Sequence, residues 1–308
     1  MRLPSFILFI LMVQIGLCQE TTFSSRDLSV SKFIDGTLLL PETREVVPLA
    51  IIIAGYGPTD RNGNQNFMQN NSLKKLAESL SKNGIATFRY DKRIVKQIRR
   101  GNVDPNMSFD DFVSDAQDCV NYFSGAPSFS GIYIIGHGQG SLVGMLAAKE
   151  GVDGFVSVAG SGKSIDAVIK EEVNKTAPMF NDDTERIIKI LKEGKTTKDY
   201  PQALGSMFDI SVQPFMSSWM QYDPSNEIKQ LTIPTMIANG TKDLQVSTAE
   251  AELLHEAAAD STLEIIEKMN NMMVIIEGDT LENSKSYNES HREISSELIS
   301  AIIGFIKK

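Results

Sequence analysis

The chain has 308 residues, with 30 Lys and Arg against 39 Asp and Glu and a formal net charge of -9, so it lacks the basic footprint of a nucleic-acid binder. At 42% hydrophobic and 22% charged it has globular composition, and two cysteines exclude a disulfide framework or a multi-cysteine zinc site. Any catalytic imidazole must come from His137, His255 or His291, the only three histidines.

The first residues read as an export signal. Arg2 gives a short basic region, Phe6 to Val13 an apolar stretch, and Gly16 and Cys18 the small positions before a cleavage ahead of Gln19. The run is too short for a comfortable bilayer span, and no later segment replaces it. Export to the periplasm or beyond is the expectation. A lipoprotein acylated at Cys18 is the alternative, and the bulky Leu17 before it speaks against that. Without residues 1–18, Cys119 is the remaining cysteine and no internal disulfide forms.

Short apolar runs then alternate with amphipathic stretches. Leu28 to Ile34 and Thr37 to Leu40 predict a hairpin turning at Asp35-Gly36. Leu49 to Ala54 is an unbroken apolar run, as in a strand buried on both faces. A helix follows over Ser72 to Ser81, with Leu73, Leu76, Ala77 and Leu80 on one face, then a strand over Ile85 to Tyr90. Ser108 followed by Phe109-Asp110-Asp111 marks a helix start that carries to about Tyr122. Ile132 to Ile135 is a strand, Ser141 to Lys149 a helix and Phe155 to Ala159 a strand. This rhythm predicts an α/β fold, a mostly parallel central sheet flanked by helices.

From about Ser164 to Asn226 the pattern is helical, with Thr184 to Lys192 amphipathic and an apolar patch at Phe215 to Met220 that holds Trp219, the only tryptophan. Alternation resumes at Ile233 to Ala238 (strand), Thr248 to Ala258 (helix), Leu263 to Glu267 (strand) and Ile294 to Ile306 (helix). The expected organisation is a signal at 1–18, a core at 19–163 and 227–308, and a helical cap insertion at 164–226.

Gly136-His137-Gly138-Gln139-Gly140 lies between a strand and a helix, where a G-x-S-x-G nucleophile elbow belongs. The outer glycines suit a close strand–helix approach. The central residue of such a turn is strained and projects its side chain into the site. Here that residue is Gly138, which offers no hydroxyl and relaxes the strain. A phosphate-binding turn is the other option, but the glycine spacing is not the dinucleotide fingerprint and no P-loop Lys and Ser/Thr follow.

With these residues the chain resembles the α/β-hydrolase fold, and within it exported esterases and serine-aminopeptidase-like hydrolases. The resemblance covers nearly all of the chain past the signal. Ala54 to Asn64 looks like the group's oxyanion loop, in which an N–H near Tyr56 would pair with that of Gln139. Phe88-Arg89-Tyr90-Asp91-Lys92-Arg93 matches a strand-end segment, but Ile94 to Gln97 replaces the usual small residues and implies a bulkier loop. Val212 to Trp219 and Tyr222-Asp223-Pro224 resemble the end of the cap. Asn239 to Val246 matches the segment that carries the triad acid, which falls on Asp243.

The resemblance places the triad histidine in Lys268 to Met273, and the matching position is Asn271. Two of three triad positions, Gly138 and Asn271, thus lack the needed group while Asp243 remains. The Asn271 amide is able to donate to Asp243 in place of an imidazole N–H. The resemblance implies an exported hydrolase-like protein, inactive as a serine hydrolase and keeping a cleft for an acyl, ester or peptide-like ligand or a partner protein. The alternative is an active hydrolase with Ser141 or Ser161 as nucleophile and His291 as base. His137 is expected to point away from the attacking position and His255 to be an ordinary helical histidine. No cofactor is implied, and Asp243, His255 and His291 lack close metal-ligand spacing.

Overall fold

The computed structural model describes residues 22–308 except 126, 127 and 259. The expected signal over 1–18, with Cys18, lies outside the described residues. In chain order the elements are β1 (Phe23–Ser29), β2 (Asp35–Pro41), β3 (Val47–Ile53), α1 (Ser72–Lys82), β4 (Ala86–Tyr90), α2 (Arg93–Arg99), α3 (Phe109–Ser124), β5 (Phe129–His137), α4 (Gln139–Ala147) and β6 (Gly154–Val158). Then come α5 (Ile165–Thr176), α6 (Asn181–Lys192), α7 (Gly205–Phe208), α8 (Gln213–Trp219), α9 (Pro224–Ile228), β7 (Thr235–Gly240), α10 (Thr248–Ala257), β8 (Thr262–Ile266), α11 (Thr280–Ser286) and α12 (Ser296–Ile306).

The eight strands form one sheet in the order β1-β2-β4-β3-β5-β6-β7-β8. β1 and β2 run antiparallel, and every pairing from β4–β3 to β7–β8 is parallel. The apolar run of β3 explains its central place. Leu49 to Ile53 are all buried, because helices cover both faces of a parallel sheet. One face packs on α3 and α4, with Ile51, Phe88, Phe109 and Ile134 in the core. The other packs on α1 and α12, with Leu73, Leu76, Leu298 and Ile302. Cys119 is buried in the first core, where burial pushes its thiol well up and keeps it inert.

The predicted elements differ from the observed ones in three places. Asp35 and Gly36 do not turn the first hairpin. They sit inside β2 opposite Ser29 and Leu28, and the reversal spans 30–34, with Val30 N–H donating to Ile34 O at 2.9 Å. Ser29 Oγ reaches across to Asp35 Oδ1 at 2.7 Å, and a Cβ on Gly36 would fall 2.3 Å from the Phe88 ring, so this glycine serves packing. Ile94 to Gln97, expected as a loop, winds into α2, which Arg93 pins to α3 through two 2.7 Å bonds to Asp115. The short α11 carried no usable periodicity.

Between β6 and β7 the chain forms α5 to α9 and no strand. An aromatic stack seats this segment on the core. Trp219 lies 5.6 Å from Phe109 at an interplanar angle of 7°, and 5.9 Å from Tyr56. Ser218 Oγ accepts from the Phe109 N–H at 2.7 Å, and Tyr222 Oη bonds Asp110. Such stacked pairs add about 0.5–1.5 kcal/mol each beyond the area they bury.

The turn from β5 into α4 is a tight backbone approach. A Cβ on Gly140 would sit 2.4 Å from Ile53 O and 2.7 Å from Ala54 O, and one on Gly136 would sit 2.3 Å from Gly140 O. Backbone cannot yield there as a flexible side chain would. Gly140→Ala is expected to cost about 1–3 kcal/mol through overpacking, read as a lower urea midpoint.

Candidate functional site

The C-terminal ends of the parallel strands carry the site, as the ends of β3, β5, β7 and β8 converge there. At the end of β5, Gly138 holds φ 54° and ψ -121°, outside the regions that L-residues favour. Its N–H donates to Val158 O at 2.9 Å and its carbonyl accepts from Ser141 N–H at 3.0 Å. Packing does not demand this glycine. A Cβ at Gly138 would meet only Gly55 Cα, at 3.6 Å, an ordinary contact. The elbow keeps its shape and an open place for a side chain that is absent.

The ends of β7 and β8 are tied by backbone bonds. Thr241 N–H donates to Ile266 O at 3.1 Å and Lys242 N–H to Met269 O at 2.9 Å. This brings the two loops together, and Asn271 Nδ2 donates to Asp243 Oδ2 at 2.9 Å. Asp243 Oδ1 accepts from the amides of Gln245 at 2.7 Å and Val246 at 3.0 Å. Burial still holds the Asp243 carboxyl above its ordinary range, against the pull of these three donors. On the other side of Asn271, its carbonyl lies 2.7 Å from His137 Nε2. His137 is buried, and burial lowers its pKa. It lines the cavity and belongs to the same cluster as Asn271 and Asp243, closer to the site than its place in the elbow suggested.

The oxyanion-loop candidate lies opposite. Tyr56 O accepts from Gln65 Nε2 at 2.6 Å and Thr59 Oγ1 at 2.9 Å, and the Tyr56 ring stacks on Trp219. Gln139 is the first residue of α4, so its N–H has no partner within the helix. Tyr56, Gly138, Gln139 and Asn271 all line one cavity of about 950 Å³, which also has an apolar wall that includes Ile169 on α5, Met207 on α7, Val212 just before α8, and Phe215 and Met216 on α8.

The alternative nucleophiles stand apart from this cluster. Ser141 is 1% exposed, and its Oγ lies 2.7 Å from Ser157 Oγ. Ser161 lines the cavity, but its hydroxyl donates to Glu250. His291 is exposed between α11 and α12, with no hydrogen bond to either serine. His255 is on α10, its Nδ1 2.7 Å from Ser261 Oγ. Among the described residues no cluster of metal-ligating side chains occurs, and no helix is long and apolar enough to cross a membrane.

Sequence reasoning missed Lys92. It follows the end of β4, is 5% exposed and lines the cavity, with Nζ donating to Gly55 O at 2.9 Å and Gln139 Oε1 at 2.8 Å. It thereby joins the oxyanion-loop candidate to the elbow. The Phe112 ring centroid lies 4.4 Å away. Burial alone lowers its pKa from 10.5 to about 7. A lysine next to a strand end carries no periodic signal that separates it from a solvated one.

Comparison with known proteins places this geometry. The chain is 24% identical over 266 residues to Esterase EstD of Thermotoga maritima, covering 83% of this chain and 62% of that relative. It spans less than two thirds of the relative's length. It superposes on Est1E from Butyrivibrio proteoclasticus with a TM-score of 0.57 at 14% identity, over 92% of this chain and 99% of that one. The Pyrococcus furiosus esterase Pf2001 matches with a TM-score of 0.55 at 13% identity, over 94% and 91%. The chain has the α/β-hydrolase fold. No family model matches the chain. Within the α/β-hydrolase fold it is related to esterases, and the turn after β5 and the loops after β7 and β8 lie at one end of its sheet.

The buried amine makes stability depend on pH. In the unfolded chain Lys92 titrates near its ordinary 10.5 and in the fold near about 7. Between those values the unfolded state holds a proton that the native state does not, so stability rises with pH across this window. Below about 7 both states are protonated and the full cost of burying the charge stands. The slope is at most about 1.4 kcal/mol per pH unit. Lys92→Met is expected to flatten the rise in urea-unfolding free energy over that range.

Proposed function

We propose that this chain is a ligand-binding protein of the α/β-hydrolase fold that has lost serine-hydrolase chemistry. The observation that carries this reading is the elbow. Gly138 has the positive-φ backbone and the free space of a nucleophile position, unstrained in a glycine, and supplies no hydroxyl. At the matching base position, Asn271 offers an amide, which hydrogen-bonds Asp243 but has no nitrogen able to take a proton. In a serine hydrolase, loss of nucleophile or base lowers turnover by about 10⁶-fold. Donors that remain would leave roughly 10³–10⁴ over water.

What the chain keeps is a cavity of about 950 Å³ with a polar end at the strand ends, an apolar wall on the helical segment, and polar residues such as Asp104, Lys163 and Ser211 elsewhere in its lining. Its size suits one small molecule with an acyl, ester or peptide-like body. A structure of Est1E, the neighbour described above, holds ferulic acid. We assign residues 164–226 the role of a cap over this cavity, since α5, α7 and α8 supply its apolar walls. Export is part of the proposal, and rests on the pattern of Arg2, the apolar run and Cys18.

An active hydrolase with rearranged residues is the competing reading, favoured by the relative named as an esterase. A fluorophosphonate probe and short-chain p-nitrophenyl esters separate the two. The expected result is no labelled serine and no turnover above the level of a heat-denatured control. Labelling of Ser141 or Ser161 with ordinary esterase rates would sink the non-catalytic reading. A second expectation concerns Gly138→Ser combined with Asn271→His. A hydroxyl side chain has room at the first position, and an imidazole at the second would face Asp243. The double variant should therefore gain measurable ester turnover, together with fluorophosphonate labelling at the substituted elbow position.

A further inference from the structure

The polar end of the cavity holds two donors with no acceptor. Gln139 is 8% exposed, and its Oε1 is taken by Lys92 at 2.8 Å. With Lys92 as an ammonium, that bond sets the amide orientation, since the reverse would put an NH₂ group against a group that only donates. Gln139 Nε2 is left buried with no partner among the described residues. Lys92 makes two hydrogen bonds, both to neutral acceptors, and no carboxylate pairs with it among the described residues. As an ammonium it has a third N–H, and the Phe112 ring is 4.4 Å from Nζ. Buried donors and buried charges are normally satisfied, so a pair left open beside an apolar cavity points to what fills it.

We propose that Lys92 and Gln139 form a carboxylate site, and that the cavity takes a free acid with an apolar body. This rests on the non-catalytic reading above and names the ligand class of the same site. A carboxylate offers two oxygens and the negative charge that Lys92 lacks, whereas an ester carbonyl or an alcohol brings no charge. The apolar body then lies along Met207, Val212, Phe215 and Met216.

The other charged groups around Lys92 are spoken for. On α3, Asp111 and Asp115 bond Arg93. On its own segment, Asp91 bonds Arg61 and Arg99. Across the cavity, Asp243 accepts from Asn271 and two amides, and Lys163 pairs with Glu171. Asp104, on the rim, accepts from the Asn106 N–H. His137, at the end of β5, is buried, and burial lowers its pKa and so disfavours its charged form. Lys92 itself titrates near about 7 in the empty cavity. A carboxylate that binds only the ammonium must therefore bring a proton with it at higher pH.

The test is calorimetric titration of the full chain with octanoate and with 1-octanol, between about pH 7 and about pH 9. Octanoate is expected to bind at least about tenfold more tightly than octanol near pH 7, to weaken about tenfold per pH unit above it, and to take up close to one proton near pH 9. Lys92→Met and Gln139→Leu should each erase the preference for the acid while octanol still binds, and Lys92→Met should also erase the proton uptake. Equal affinity for acid and alcohol, or a preference that survives both substitutions, overturns the proposal. So does absence of octanoate binding at millimolar concentration. If Lys92→Met fails to fold, Gln139→Leu and the proton uptake of the unaltered chain still decide it. Turnover of p-nitrophenyl octanoate at ordinary rates would instead overturn the non-catalytic reading, a result separate from the preference for the acid.

Discussion

The close approach of α4 to the ends of β3 and β5 is the constraint on which the rest depends. At Gly136 and Gly140 the backbones stand so near that any Cβ would meet carbonyl groups or Cα at under 3 Å. That contact sets the angle at which α4 leaves the sheet, and so where Gln139 stands. Gln139 in turn takes Lys92, and Lys92 takes Gly55. One backbone contact therefore fixes the elbow, the loop facing it and the polar end of the cavity together.

Against this, Gly138 differs in kind from its two neighbours. Gly136 and Gly140 answer to packing, whereas Gly138 answers to its positive φ alone and has open space before it. A hydrolase accepts strain at such a position in return for a projecting nucleophile. In this chain glycine removes both the strain and the group. Asp243, Asn271 and His137 are joined by hydrogen bonds, so this part of the site is ordered.

Much of this is legible in the residues. The parallel core is announced by unbroken apolar runs such as Leu49 to Ile53, because a strand covered on both faces has no polar side. The elbow is legible because its three glycines fall at fixed spacing between an apolar strand run and a helix, a pattern contained in the chain itself. Asp243 and Asn271 follow from chain order along the resembled fold. The hairpin is not legible, because Gly36 looks like a turn residue while its reason is the Phe88 ring, on a strand that only folding brings alongside. Nor is α2, because Arg93 is held by Asp115, a partner on another helix.

The sequence by itself determined the fold class, the α/β rhythm and the glycine at position 138 of the turn, since periodicity, local turns and residue identity are properties of the chain in one dimension. Only the tertiary structure decided that Asn271 reaches Asp243, that Ser141 is sealed against Ser157, and that Lys92 is a buried amine at the head of a cavity. Desolvation and hydrogen-bond geometry depend on what surrounds a group in space. For Lys92 those surroundings come from the loop after β3 and from α3 and α4, distant in the chain and joined only by folding.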